Sequence, residues 1–167
     1  MKRILLCGQK KSGKSAVGRQ LSSKLDLQFL DSDELLCQAY QEPSIRRLFM
    51  QLQEALFRKE ERQHVLSFLK VDSGVFTTGA GAFDLPIDPN FFSHFDAIVH
   101  IKTSLPFYHE LNDSDTSFPL YDQLDALYHR REQFFQRIAT HEVHRKPSDS
   151  VEITTHAILT LLKKEHR

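Results

Sequence analysis

The chain has 167 residues, of which 40% are hydrophobic and 26% charged, and its formal net charge is zero. That length suits one compact domain with a sizeable core, and the balanced charge gives no general attraction to nucleic acid or to an anionic membrane. No apolar run approaches the roughly 20 residues that span a bilayer, the start MKRILLCG is too short for a secretory signal, and Cys7 and Cys37 are too few for a disulfide framework.

These bounds predict a single cytoplasmic domain over residues 1–167. Short apolar runs alternate with longer helical stretches, the signature of a parallel α/β sheet. Residues 3–7 read as the first strand. It leads into Gly8-Gln9-Lys10-Lys11-Ser12-Gly13-Lys14-Ser15, which satisfies the phosphate-loop pattern G-x-x-x-x-G-K-[ST]. Such a loop works between a buried strand and a helix N-terminus, where backbone N–H groups converge on phosphate oxygens. Here they come from Lys11, Ser12, Gly13, Lys14, Ser15 and Ala16. Lys14 adds a point charge for the β- and γ-phosphates, and the Ser15 hydroxyl is suited to Mg²⁺. The chain is therefore expected to bind a nucleoside triphosphate.

The following helix runs to about residue 25, with Val17, Leu21 and Leu25 on one face. Residues 27–30 form a second short strand that ends in Asp31-Ser32-Asp33. In extended chain the two carboxylates point to one side. One is then suited to Mg²⁺ and its water shell, the other to orienting a hydroxyl; the alternative is an Asp-Ser-Asp turn that caps the next helix. Residues 34–69 are helical with a break near Glu42-Pro43, and Ile45, Leu48, Phe49, Leu52 and Leu56 make an apolar stripe. Residues 75–78 read as a third strand entering Gly79-Ala80-Gly81, and 97–101 as a fourth. Residues 103–122 are polar, contain Pro106 and Pro119, and read as loop. Helix over 124–138, a short strand over 140–144 and a closing helix over 151–164 complete the chain.

The expected fold is α/β, a P-loop NTPase-type three-layer sandwich with a central five-stranded parallel sheet. In such sheets ligands sit beyond the carboxyl ends of the strands. The phosphate loop, the Asp31/Asp33 pair and the 79–81 turn should therefore meet at one crevice. The nine histidines are scattered. His141 and His144 have a spacing usable for metal, but no partner motif accompanies them.

Several ordered blocks together resemble the shikimate kinase family. They are GQKKSGKS, then Phe29-Leu30-Asp31-Ser32-Asp33, then Glu54-Ala55-Leu56-Phe57-Arg58-Lys59-Glu60-Glu61, which is similar to E-x-x-F-R-x-x-E. Thr78-Gly79-Ala80-Gly81 stands where the family has a triple glycine, and Arg131, Phe135 and Ala139 match R-x-x-x-Y-x-x-x-A. The resemblance implies transfer of the γ-phosphoryl of ATP to the 3-hydroxyl of shikimate, with Mg²⁺, in chorismate biosynthesis. It implies that Arg58 and Arg131 grip the substrate carboxylate, for which planar guanidinium forks are suited. It places Gly79, Ala80 and Gly81 against the substrate and Asp33 on its hydroxyls as possible proton acceptor. Lys14 is then catalytic, Ser15 and Asp31 serve the metal, and Arg145 flanks the adenine. A monomer is expected.

Two departures stand out. Ala80 replaces the middle glycine, and Phe118 stands where the family's lid carries an arginine before Pro119-Leu120. Indeed no Lys or Arg occurs from 103 to 129, a stretch with Glu110, Asp113, Asp115, Asp122 and Asp125. Lys10, Lys11 or Arg130 are the candidates to replace that charge. The alternatives are a gluconate-type small-molecule kinase and a kinase-like regulatory protein that binds nucleotide without turnover.

Overall fold

The computed structural model describes residues 2–112 and 123–164. Five parallel strands form one sheet in the order β2-β3-β1-β4-β5. They are β1 (Arg3–Gly8), β2 (Phe29–Asp31), β3 (Gly74–Thr77), β4 (Ala97–Lys102) and β5 (His141–His144). The helices are α1 (Lys14–Leu25), α2 (Ser32–Tyr40), α3 (Ile45–Ser67), α4 (Leu105–Asn112), α5 (Leu124–Ile138) and α6 (Val151–Lys164).

β1 is the centre of the sheet, and its residues feed both faces. Ile4 and Leu6 pack with Val17 and Leu21 of α1 and with Ile158 and Leu162 of α6. Leu5 and Cys7 pack on the other side with Phe76, Phe83, Phe91, Phe95 and Phe135. A parallel strand covered on both faces has to be continuously apolar, as Ile4–Cys7 is. The phenylalanine excess goes largely into this second layer, where Phe68, Phe76 and Phe95 meet at centroid distances of 5.0 and 5.6 Å.

The structure corrects three expectations. The apolar stripe 45–56 does not continue through α3, because Gln53 is non-helical (φ 62°, ψ 161°) and kinks it. Ile45, Leu48, Phe49 and Leu52 face Leu36, but Leu56 is 45% exposed. The kink shifts the helical phase, so Phe57, Arg58 and Glu61 turn inward instead. The second strand ends at Asp31, and Asp33 lies in the first turn of α2 rather than in extended chain. The Asp31 side chain accepts from the Asp33 and Glu34 N–H groups and so starts the helix there.

The polar stretch after Thr103 is not all loop, since residues 105–112 form α4. Pro106 sits in its first turn, where a missing N–H costs nothing, and the Ser104 hydroxyl accepts from Phe107 N–H at 3.3 Å. Phe118 and the rest of the expected lid from residue 113 to 122 lie outside the described residues.

Candidate active site

The phosphate loop joins β1 to α1 and leads to β2 on one side of the sheet, whereas the neighbouring β4 leads to β5 on the other; ligands favour such a reversal in open sheets. Gly13 is the N-cap of α1, with φ 87° and no side-chain cap bond. The helix therefore begins with unmet N–H donors and the positive end of its dipole. The buried Gln9 side chain fastens the loop to α5, donating to the Tyr128 carbonyl at 3.0 Å and to Glu132 Oε2 at 3.3 Å.

Lys14 and Lys11 of the loop, and Arg145 beside it, each donate to protein acceptors. Lys14 Nζ donates to the Gln9 carbonyl at 2.7 Å and to Ser12 Oγ at 3.4 Å. Burial pushes its pKa down from 10.5 to about 8, although Asp33 and Asp31 pull the other way. Lys11 Nζ donates to the Leu111 carbonyl at 2.8 Å, linking the loop to the end of α4. Arg145 Nη1 donates to the Ser12 carbonyl at 2.8 Å and lies directly against Gly13. Lys10, Lys11, Gly13, Lys14, Ser15 and Ala16 line a pocket of about 260 Å³ that also reaches Asp33, Thr78, Gly79 and Ala80.

Ser15 and Asp31 come together as expected of a metal pair. Ser15 Oγ donates to Asp31 Oδ2 at 2.6 Å, and Thr77 Oγ1 donates to the same oxygen at 2.8 Å. A hydroxyl and a carboxylate beside a phosphate loop are hard oxygen donors, the set that fits Mg²⁺. The other Asp31 oxygen caps α2, the alternative foreseen for the Asp-Ser-Asp segment.

A second pocket, of about 150 Å³, adjoins the first. It is bordered by Arg58, Glu61 and Arg131, with Phe49 and Phe57 as apolar walls, and it shares Lys10, Asp33, Gly79 and Ala80 with the phosphate pocket. Arg58 donates to Glu61 Oε2 at 2.7 Å and lies 5.4 and 5.3 Å from the Phe49 and Phe57 rings. Burial raises the Glu61 pKa, against the pull of Arg58.

Asp33 is half-buried as a residue, yet its Oδ1 is enclosed with no hydrogen-bond partner among the described residues. Burial, with Glu61 and Asp31 close by, pushes its carboxyl up from 3.8 to about 8. A raised carboxyl between two pockets is the usual mark of a functional group.

The 79–81 turn explains the departure at Ala80. A Cβ at Gly79 would stand 2.5 Å from Glu61 Oε1 and 2.7 Å from Asp33 Oδ1, and one at Gly81 would stand 2.5 Å from Arg58 Nη1. Ala80 lies between them with no positive φ, and its methyl group borders both pockets. The two outer glycines are set by close approach of charged side chains; the middle position is free of that constraint.

All the expected site residues border or flank these two pockets. Arg130, one candidate for the missing lid charge, pairs with Asp84 at 3.2 Å and does not line the phosphate pocket. Three contributors escaped the sequence pattern: Thr77, Ser32, whose hydroxyl accepts from Gly79 N–H at 3.2 Å, and Asp84. Thr77 and Ser32 stand at or just beyond strand ends, which could have pointed to them; Asp84, past the 79–81 turn, carries no such signal.

Architecture of this kind defines the P-loop kinases that act on small molecules. The sequence profile of the shikimate kinase family matches residues 10–162. The chain belongs to the shikimate kinase family. It is 30% identical over 145 residues to a shikimate kinase of Legionella pneumophila, covering 83% of this chain and 82% of that protein. The shikimate kinase of Xanthomonas oryzae is 29% identical over 141 residues, with 83% and 73% covered. Among solved structures, the shikimate kinase from Acinetobacter baumannii in complex with shikimate superposes with a TM-score of 0.86 at 23% identity, covering 99% of this chain and 94% of that one. The shikimate kinase from Aquifex aeolicus gives 0.78 at 26% identity, with 98% of each chain covered.

Proposed function

We propose that this chain transfers the γ-phosphoryl group of ATP to the 3-hydroxyl of shikimate. The observation that carries the reading is that Asp33 and the 79–80 turn border both pockets, so the phosphate loop and the Arg58/Arg131 pair open onto the same carboxylate. The roles follow from the chemistry of each group. Amides from Lys11 to Ala16 hold the phosphates, Lys14 neutralises charge on the transferring oxygens, and Arg145 flanks the nucleotide. Arg58 and Arg131 pair with the substrate carboxylate, and the Gly79, Ala80 and Gly81 backbone closes on the ring. Ser15 and Asp31 would hold Mg²⁺, whose charge offsets that of the phosphates when bound.

Asp33 accepts the proton of the attacking hydroxyl. The new O–P bond forms as the bond from the γ-phosphorus to the bridging oxygen breaks, and ADP leaves. A carboxyl whose pKa stands near 8 is matched to that proton transfer near neutral pH. In the same reading the chain is one monomeric kinase domain, acts in the cytoplasm and uses no nucleic acid. The segment from residue 103 to 122 is its lid.

The test is ADP release in a coupled assay with shikimate or Mg²⁺ omitted in turn, beside gluconate and a nucleoside as rival acceptors. Release that needs both shikimate and Mg²⁺, and that is lost in Asp33→Asn and Arg131→Ala, supports the reading. Turnover of gluconate but not shikimate refutes the substrate. Titratable binding of ATP without turnover refutes the activity.

A further inference from the structure

Arg131 is not held by the residues that border the acceptor pocket. Its Nε donates to Asp84 Oδ1 at 3.1 Å and its Nη2 to Asp84 Oδ2 at 2.6 Å, a two-bond fork along one side of the guanidinium. Both side chains are nearly enclosed, at 5% and 12% exposure. Asp84 Oδ2 also lies 3.8 Å from Arg58 Nη2 and 3.2 Å from Arg130 Nη2, so one carboxylate faces three guanidinium groups. Those arginines, led by the Arg131 hydrogen bond, hold its pKa below the usual carboxylate range despite its burial. Asp84 itself is fixed by a turn, in which its N–H donates to the Gly81 carbonyl at 2.9 Å.

The two sides of Arg131 face different spaces. With Asp84 and Arg130 it borders a hollow of about 270 Å³, and with Arg58 and Asp33 it borders the 150 Å³ acceptor pocket. The fork to Asp84 uses Nε and Nη2, and Nη1 takes no part in it. Arg58 has the parallel arrangement, since Glu61 binds its Nη1 from within α3. Arg58 and Arg131 are thus each held at hydrogen-bond distance by an acid, Glu61 and Asp84 respectively.

We propose that Asp84 is a positioning residue for substrate recognition. It locks the Arg131 guanidinium by its side, so that the remaining edge is presented to the carboxylate of the acceptor. This rests on the proposed kinase reading and extends it to a residue that does not border the acceptor pocket. Two consequences separate the role from plain structural support. Asp84 acts on binding of the acceptor, not on the phosphoryl-transfer step, and it acts through a charged fork that an amide reproduces poorly. A guanidinium left free to rotate loses the alignment on which two-bond pairing with a carboxylate depends.

Steady-state kinetics of Asp84→Asn and Asp84→Glu, beside the unaltered protein and with thermal melting of each, test the proposal. The expected result for Asp84→Asn is a KM for shikimate raised roughly tenfold, with kcat and the KM for ATP within about twofold. Asp84→Glu, which restores the charge, should recover a large part of that loss. An unchanged KM overturns the proposal, and so does a lowered one, because Asp84 would then be a competitor for Arg131. A drop in kcat at constant KM, or a lower melting temperature with unaltered kinetics, overturns it as well. Should Asp84→Asn fail to fold, Asp84→Ser takes its place: a raised KM for shikimate supports the role, and a KM equal to that of the unaltered protein overturns it. Absence of shikimate turnover in the unaltered protein refutes the kinase reading and this inference with it, whereas turnover with an insensitive KM refutes the inference alone.

Discussion

Gly79→Ala should cripple turnover while leaving the fold in place, and Ala80→Gly, one residue on, should do almost nothing. A methyl group at position 79 would stand 2.5 Å from Glu61 Oε1 and 2.7 Å from Asp33 Oδ1. Carbon settles at roughly 3.5 Å from its neighbours, so both carboxylates have to retreat, each by about 1 Å. Glu61 is confined, being 2% exposed with its other oxygen bonded to Arg58 at 2.7 Å, so its shift disturbs that pair. Asp33, with an unbonded Oδ1 beside the pocket, yields with less resistance. Misplacing a reacting group by that distance costs up to about 100-fold in rate. The extra carbon itself costs about 1–3 kcal/mol as overpacking, a fall of several degrees in melting temperature.

The assay is coupled ADP release at saturating ATP and shikimate, with calorimetry on the same samples. Expected are a kcat lowered by roughly 30- to 100-fold for Gly79→Ala and one within about twofold of the unaltered protein for Ala80→Gly, whose only penalty is the flexibility of glycine. Retention of kcat within about threefold by Gly79→Ala would show that the turn does not confine Asp33, and the reasoning would be wrong.

Asp33→Asn should abolish turnover yet stabilise the protein. The Asp33 carboxyl has a folded pKa above its unfolded one, so the stability it adds below about pH 4 is lost as pH rises toward 8; the variant's melting temperature should exceed the original by about 3 °C or more at pH 8 and by much less at pH 4. The profile of kcat/KM against pH should be a bell centred near pH 8, its acid limb from ionisation of Asp33 and its alkaline limb from loss of the Lys14 proton; a flat profile between about pH 7 and 9 would contradict this. Thr77→Val removes one of the two hydroxyl donors to Asp31 Oδ2, and should raise the Mg²⁺ concentration for half-maximal rate several-fold with little change in the KM for shikimate. Arg145→Ala, which loses the bond to the Ser12 carbonyl, should raise the KM for ATP and leave that for shikimate alone.

Where a feature rests on local chemistry, it was legible in the sequence. The phosphate loop, the Phe57-Arg58-Glu61 spacing and the boundaries of α5 and α6 depend on motif, helical period and capping residues close in the chain, and the structure has them there. What could not be read depends on contacts between distant segments or on one backbone angle. Gln53 looks like any helical glutamine, yet its φ of 62° changes which side of α3 faces the site. Pro106 looks like a breaker, but its place in the first turn of α4 makes it harmless. Asp84 meets Arg131 across 47 residues of sequence, and no spacing rule spans that distance.

The electrostatics of the site follow from that last kind of contact. Lys14 is bonded to the Gln9 carbonyl, Lys11 to Leu111, Arg145 to Ser12, Arg58 to Glu61 and Arg131 to Asp84. Phosphate oxygens therefore exchange with the acceptors of Lys14, Lys11 and Arg145 already in place, and the net gain per contact is small, whereas Arg58 and Arg131 keep their acids and offer their remaining edges. Such a site selects by geometry more than by total charge. That arrangement also bears on the stretch from 103 to 129, which carries no Lys or Arg. Lys11 reaches the carbonyl at the end of α4 and borders the phosphate pocket as well, so a cation already stands between the phosphate loop and the end of α4. Lys11→Ala should accordingly raise the KM for ATP about as much as Arg145→Ala does. If it leaves that KM unchanged, the charge that Phe118 cannot supply does not come from Lys11.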